Sequence, residues 1–112
     1  MYEVRKRLEI SASHRLDLSY PSRCQNLHGH NWIIEITCRS QMLNGDGMVM
    51  DFTHIKQAIH DRLDHQNLNE VLNFNPTAEN IARWIANEIG EVCVEVSVRE
   101  SEDNTAIWRR DE

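Results

Sequence analysis

The chain has 112 residues, of which 18 are acidic and 12 are Lys or Arg, so its formal net charge is -6. This length suits one domain, and we expect residues 1–112 to form it. No apolar run approaches the roughly 18 residues of a membrane-spanning helix, and the acidic balance argues against a general nucleic-acid-binding surface. Composition therefore predicts a soluble globular protein that has neither membrane nor nucleic acid as a partner.

The beginning of the chain and its cysteines both indicate the cytoplasm. Residues 1–10 alternate apolar and polar side chains and lack the continuous apolar stretch of a secretory signal. The three cysteines, Cys24, Cys38 and Cys93, cannot all pair within the chain. We therefore expect free thiols in a reducing compartment.

Two strands are predicted in the first forty residues. Apolar residues between Tyr2 and Ile10 share one parity, which is typical of a half-buried strand. Residues 31–39 are rich in β-branched and aromatic side chains and predict a second strand. A turn is expected at residues 44–47, where Asn-Gly and Asp-Gly tolerate positive φ.

Two helices are predicted in the middle of the chain. Apolar residues repeat at helical spacing from Phe52 to Leu63, which predicts one helix of about three turns with Asp51 or Thr53 as its cap. A second helix is expected between Thr77, a good N-cap residue, and Gly90, a good terminator.

Two further strands complete the predicted fold. Valines alternate with polar residues from Val92 to Val98, and residues 105–109 offer a short final strand. The order ββααββ predicts an α+β domain in which two helices pack on one face of a four-stranded antiparallel sheet. Such a sheet has two open edges, which either pair with another copy of the chain or are protected by charged side chains. The sequence pattern favours a homo-oligomer and a monomer about equally.

Three histidines predict a metal site. His28 and His30 flank Gly29, and in extended backbone their rings point to the same side. His14 has the parity of Ile10 and lies near them if the first two strands form a hairpin. Three neutral imidazoles suit Zn²⁺ and leave a fourth position for water or substrate, as in catalytic sites. The alternative is a partly buried polar His14 and a His-Gly-His that is only a loop feature.

Cys24 lies four residues before His28, and the sequence leaves its role open. As a fourth ligand it would close a structural zinc site, and as a thiolate beside the metal it would act as a base or nucleophile. The third alternative is an inert thiol, although inert thiols are usually buried and Arg23 and Gln25 are polar neighbours. We expect Cys38 and Cys93, which lie within strand patterns, to be packing residues.

Two acidic positions add candidate functional groups. Asp64 and His65 follow the first predicted helix, where the carboxylate can orient the imidazole for proton transfer or the pair can simply end the helix. Glu100 is even-numbered like the apolar valines of the third predicted strand, so its side chain should point to the buried face. A carboxylate there needs a partner. A ligand with two N–H donors would be such a partner, and so would the neighbouring Arg99.

Six blocks in the right order resemble the family of 6-pyruvoyl-tetrahydropterin and 6-carboxytetrahydropterin synthases. The blocks are Ala12-Ser13-His14, Cys24-x-x-x-His28-Gly29-His30, Gly47-Met48-Val49-Met50-Asp51-Phe52, Leu63-Asp64-His65, Asn75-Pro76-Thr77-Ala78-Glu79-Asn80 and Arg99-Glu100-Ser101. The three-residue spacer between Cys24 and His28 resembles the bacterial carboxy-forming members. Ile10 stands where the family usually has an aromatic residue, a departure that concerns strand packing.

The resemblance implies an active site and an assembly. It implies His14, His28 and His30 as zinc ligands, Cys24 as catalytic base, Asp64 and His65 as its proton relay, and Glu100 as the anchor of a pterin's guanidine-like edge. Arg15 and Arg23 are candidates to bind a triphosphate. In the family's tunnel fold, ββααββ subunits join their sheets into a barrel with active sites between subunits. The resemblance therefore implies a homo-oligomer, and a hexamer in particular.

The implied reaction is that of a lyase acting on 7,8-dihydroneopterin triphosphate. With zinc polarising the side-chain oxygens, Cys24 would remove a carbon-bound proton and triphosphate would leave by elimination. Carboxy-forming members then release acetaldehyde and yield 6-carboxy-5,6,7,8-tetrahydropterin for queuosine biosynthesis, whereas pyruvoyl-forming members keep the side chain. The rival interpretations are an aldolase acting on dihydroneopterin and a non-catalytic structural zinc module.

Overall fold

A long antiparallel hairpin is the main element of the sheet. In the computed structural model, which describes residues 1–111, strand β1 spans Tyr2–His14 and strand β2 spans His28–Ser40. The two strands pair along their whole length, with His14 opposite His28 at the loop end. The predicted hairpin is therefore confirmed, and both strands are longer than their sequence patterns indicated.

Three more strands complete a mixed sheet. Strand β3, Gln66–Asn67, pairs in parallel with the end of β1. Strands β4, Cys93–Ser101, and β5, Asn104–Arg109, form a second antiparallel hairpin, and β4 pairs with β2. The strand order is β3-β1-β2-β4-β5. The prediction of four purely antiparallel strands was wrong, because it missed the parallel strand β3. Two residues are too few to show a period-2 pattern.

The helices lie on one side of the sheet. They are α1, Phe52–Ala58, α2, His60–Leu63, α3, Leu68–Val71, and α4, Ala78–Ile89. The predicted single helix from Phe52 to Leu63 is broken at Ile59, where φ is -118°. Helix α3 was not predicted, and it interrupts the expected ββααββ order. Among residues 1–111, no helix is long and apolar enough to span a membrane.

Helix α4 begins and ends at the residues that the sequence indicated. Oγ1 of Thr77 accepts a hydrogen bond of 3.1 Å from the backbone N–H of Asn80. Gly90 follows the last turn with a φ of 104°, a conformation that favours glycine. Both capping predictions are confirmed.

Replacing Thr77 by alanine should lower the free energy of unfolding by about 1 kcal/mol, because the N–H of Asn80 loses its acceptor. Denaturant titration measures the change. Thr53→Ala is the matched control, since the side chain that caps α1 belongs to Asp51. Equal losses in the two variants would contradict the capping role.

The core lies between these helices and the even-numbered side chains of the sheet. Leu8, Trp32, Ile34 and Val96 are buried there in one cluster with residues of α4. Cys38 and Cys93 are also completely buried, as expected of packing residues. His14, His28 and His30 are also even-numbered and lie at the loop ends of β1 and β2. The three histidines therefore lie at one end of the core face.

Candidate metal centre and active site

The three histidines meet where β1 ends and β2 begins. His14 lies opposite His28, and His30 is the next residue of β2 with the same parity. The ring centroids are 4.6 Å apart for His14 and His28, 4.9 Å for His28 and His30, and 5.2 Å for His14 and His30. One nitrogen of each ring lies within 4.8 Å of the corresponding nitrogens of the other two. Such a group could hold a metal ion.

Backbone carbonyls determine which nitrogens are free for a metal. Nδ1 of His14 lies 2.8 Å from the carbonyl oxygen of Pro76, and Nδ1 of His28 lies 2.7 Å from that of Asn26. Because a carbonyl only accepts hydrogen bonds, each Nδ1 donates, and Nε2 of the neutral ring keeps a lone pair. Contacts of this kind orient the imidazoles of metal sites and fix their tautomers.

Burial disfavours the protonated forms of two of these rings. The side chain of His14 is completely buried, and burial is the main reason that the pKa values of His14 and His30 lie below the ordinary value, against the opposing effect of Glu100. Nε2 of both rings is buried without a hydrogen-bond partner in the described part of the chain. A buried polar atom without a partner is costly, and a bound cation would satisfy both nitrogens. Three neutral imidazoles fit the ligand preference of Zn²⁺.

Glu100 faces the same centre from β4. Its Oε1 lies 3.5 Å from Nε2 of His30, and its Oε2 lies 4.0 Å from Nε2 of His14. The carboxylate thus points to the core face, as its parity predicted, and away from the exposed Arg99. It also lines a cavity of about 570 Å³ together with Glu79 and residues 103–107. Glu100 therefore lies between the histidines and this cavity.

Cys24 lies in the loop that joins β1 to β2. It occupies a 3₁₀ turn, Arg23–Gln25, and its backbone N–H donates a 3.2 Å hydrogen bond to Oγ of Ser22. Its carbonyl accepts a 2.8 Å hydrogen bond from the N–H of Leu16, which ties the turn to the end of β1. Within residues 1–111, the group of mutually close ligand atoms comprises the three histidines and leaves out the partly exposed Cys24. This geometry favours an open metal site over a closed four-ligand site.

Asp64 and His65 form a hydrogen-bonded pair at the edge of the sheet. Oδ2 of Asp64 lies 2.9 Å from Nδ1 of His65, while its Oδ1 accepts a 2.9 Å hydrogen bond from the N–H of Ser11. The Ser11 N–H, more than His65, lowers the pKa of Asp64 below the ordinary aspartate value. The carboxylate is therefore ionised and can hold the imidazole in one orientation.

The side chain of His65 is largely exposed, at 81%. The φ of His65, 60°, is unusual for a residue other than glycine. The residue lines an open cavity of about 500 Å³ with residues of the hairpin, among them Ser11, His30 and Asn31. In the described residues no hydrogen bond joins His65 to Cys24, so one chain does not bring the predicted relay and the predicted base together.

The two arginines predicted to bind a triphosphate are exposed. Arg15 forms an ion pair with Asp17 in which Nη1 lies 2.8 Å from Oδ1. Arg23 lies in the same 3₁₀ turn as Cys24. Sequence reasoning missed Pro76, Asn26 and Ser11, because they contribute backbone groups that no side-chain pattern can reveal.

Comparisons with known proteins find similarity to tetrahydropterin synthases. A family model described as 6-pyruvoyl tetrahydropterin synthase matches residues 3–111. The 6-carboxy-5,6,7,8-tetrahydropterin synthase of Bacillus subtilis (strain 168) is 27% identical over an alignment 124 positions long, which covers 96% of this chain and 85% of that protein. The 6-pyruvoyl tetrahydrobiopterin synthase of Drosophila melanogaster is 33% identical over an alignment 129 positions long, which covers 93% of this chain and 77% of that protein.

The fold is similar to a solved structure as well. The 6-pyruvoyl tetrahydropterin synthase of Caenorhabditis elegans superimposes with a TM-score of 0.77, covering 98% of this chain and 96% of that chain at 24% identity. At this identity the likeness concerns the α+β fold alone.

Proposed function

This chain belongs to the 6-pyruvoyl tetrahydropterin synthase family, and from that premise we propose that it is a zinc-dependent 6-carboxy-5,6,7,8-tetrahydropterin synthase of the cytoplasm. It converts 7,8-dihydroneopterin triphosphate and one water molecule into 6-carboxytetrahydropterin, triphosphate and acetaldehyde, a step of queuosine biosynthesis. The observation that carries this proposal is the convergence of the His14, His28 and His30 nitrogens.

The three histidines hold the zinc ion in this proposal. When bound, zinc supplies Lewis-acid polarisation of the substrate's side-chain oxygens. The carbonyls of Pro76 and Asn26 keep Nε2 of His14 and His28 available as ligand atoms. Three protein ligands leave room for the substrate at the metal.

Cys24 is the base that removes the carbon-bound proton, after which triphosphate leaves by elimination. The capped 3₁₀ turn and the Leu16 hydrogen bond fix its backbone, and its partial exposure lets a substrate reach the sulfur. His65, oriented by the ionised Asp64, relays the proton.

Glu100 anchors the guanidine-like edge of the pterin. A carboxylate accepts two parallel N–H donors well, and Glu100 lines a cavity next to the histidines. Arg15 and Arg23 bind the triphosphate, with Arg15 partly neutralised by Asp17 until the substrate competes for it.

The relay is completed by a second copy of the chain. His65 is exposed and shares no hydrogen bond with its own Cys24 among residues 1–111, so a neighbouring subunit is the natural source of its partner. The open edge of β5 gives the sheet a place to join another subunit, and the proposed assembly is a barrel-containing hexamer.

We expect sedimentation analysis of the purified protein to give a hexamer, and activity to fall when dilution dissociates it, because each site would then lose the relay of its neighbour. Thermal unfolding at the same dilutions distinguishes dissociation from unfolding. A monomer with full activity would contradict the shared site.

A pyruvoyl-forming enzyme is the second candidate, which the similarity to the Drosophila protein supports. The three-residue spacer between Cys24 and His28 favours the carboxy type. A structural zinc module is less well supported, because Cys24 lies outside the ligand group of the described residues.

Product analysis tests the proposed function. Incubation with 7,8-dihydroneopterin triphosphate should yield triphosphate, acetaldehyde and 6-carboxytetrahydropterin, which mass spectrometry identifies. A product that keeps the side chain would favour the pyruvoyl type. No triphosphate release by zinc-loaded oligomer would contradict both enzymes.

A further inference from the structure

We propose that Glu100 is a movable fourth metal ligand, which closes the metal site in the substrate-free protein and leaves it when a pterin binds. The inference rests on the proposed function for the three-histidine metal centre. It adds a second role for a residue that the proposed function uses only to anchor the substrate.

The first argument is that the lone pair of His14 Nε2 faces the Glu100 carboxylate, also an acceptor, with no proton between them. His14 donates from Nδ1 to Pro76, so its Nε2 presents a lone pair towards the Glu100 carboxylate 4.0 Å away. Nε2 of His30 lies 3.5 Å from the other oxygen, and neither nitrogen has a hydrogen-bond partner in residues 1–111. Lone pairs and a carboxylate repel each other at such distances unless a cation lies among them.

The second argument is the spacing of these atoms. Two ligands that are each about 2.05 Å from one tetrahedral zinc ion lie roughly 3.3 Å apart. The 3.5 Å between His30 and Glu100 is close to this value, and the 4.0 Å between His14 and Glu100 is somewhat longer. The group whose atoms all lie within 4.8 Å comprises the histidines alone, so Glu100 lies on the side of His14 and His30 and away from His28. A small side-chain movement would complete the ligand set.

The third argument is the backbone of β4 at this position. The pairing of β4 with β5 shifts register between Arg99 and Ser101, so Glu100 is the extra residue of a β-bulge. Bulges redirect a side chain locally and are common beside functional sites. This one directs a side chain that is 23% exposed between the histidines and the cavity. The carboxylate can therefore turn from one to the other.

The two roles compete for the same two oxygens. A carboxylate that accepts both N–H donors of a pterin has its oxygens directed into the cavity. Pterin binding would therefore remove Glu100 from the metal and open the fourth position only when the substrate is present to use it. The metal would remain covered by a protein ligand at other times.

Cobalt spectroscopy of the assembled protein tests the closed state. Co²⁺ should bind wild type with a d–d spectrum that changes in Glu100→Gln. Zinc affinity of this variant should fall at least about 10-fold, because the neutral amide that replaces the carboxylate is a weaker ligand. Glu79→Gln is the matched control, since Glu79 lines the same cavity and lies outside the group of close ligand atoms in the described residues. Its spectrum and affinity should equal those of wild type.

Addition of neopterin, which lacks the triphosphate, tests the movement. The wild-type cobalt spectrum should shift towards that of Glu100→Gln, while the spectrum of the variant changes less. Identical spectra and affinities for Glu100→Gln and wild type would overturn the inference and leave the metal centre intact, as would neopterin binding without a spectral shift. Failure of wild type to bind cobalt or zinc at all would overturn the metal centre itself.

Discussion

Replacing Cys24 by alanine should reduce turnover on the order of 10² to 10⁴-fold, because the reaction would lose its general base. The same variant should keep its zinc and its thermal midpoint, since the sulfur lies outside the ligand group of the described residues. Zinc content, thermal unfolding and triphosphate release are measured on one preparation.

The combination of results decides between the two roles of Cys24. A closed zinc site contributes free energy to folding, so removal of a fourth ligand would release the metal and lower the thermal midpoint together. Loss of both would contradict the catalytic role even if activity also vanished. Ser22→Ala, which removes the acceptor of the Cys24 N–H and keeps the thiol, shows how much activity depends on the turn alone.

Replacing His28 by alanine should weaken zinc binding more than about 100-fold, because loss of a ligand exceeds the effect of changing a surrounding group. Triphosphate release at limiting zinc should fall with metal occupancy. His28 suits this test better than the completely buried His14, whose removal would also leave a cavity in the core. Elemental analysis of protein purified without added metal gives the occupancy.

His54→Ala provides the control for His28→Ala, because it removes an exposed histidine of α1 that lies outside the ligand group of the described residues. Its zinc content and activity should equal those of wild type. Full zinc occupancy in His28→Ala would exclude His28 from the ligands.

The fold was predictable where burial imposes a period on the sequence. The parity of β1 and β2 predicted that their loop ends would bring His14 to His28 and His30, and the paired strands do so. The apolar spacing from Phe52 to Leu63 was also informative, because Ile55, Ile59 and Leu63 are all buried although the helix breaks at Ile59. Strand β3 and helix α3 were not predictable, since elements of two and four residues show no period.

The candidate site was predictable in its side chains and not in its backbone groups. The histidine spacing indicated the group of three histidines that the structure brings together, whereas the carbonyls of Pro76 and Asn26 that fix the tautomers depend on tertiary contacts. The partner of His65 could not be derived from one chain either, because its exposed side chain shares no hydrogen bond with Cys24 among residues 1–111. The bulge at Glu100 depends on the register of two strands, which their compositions do not determine.

X-ray absorption at the zinc edge tests the central claim most directly, because it identifies the atoms bound to the metal. A site built from His14, His28 and His30 without Cys24 predicts only nitrogen and oxygen neighbours, at about 2.0 to 2.1 Å from zinc. A sulfur neighbour at about 2.3 Å would place Cys24 on the metal and contradict the account.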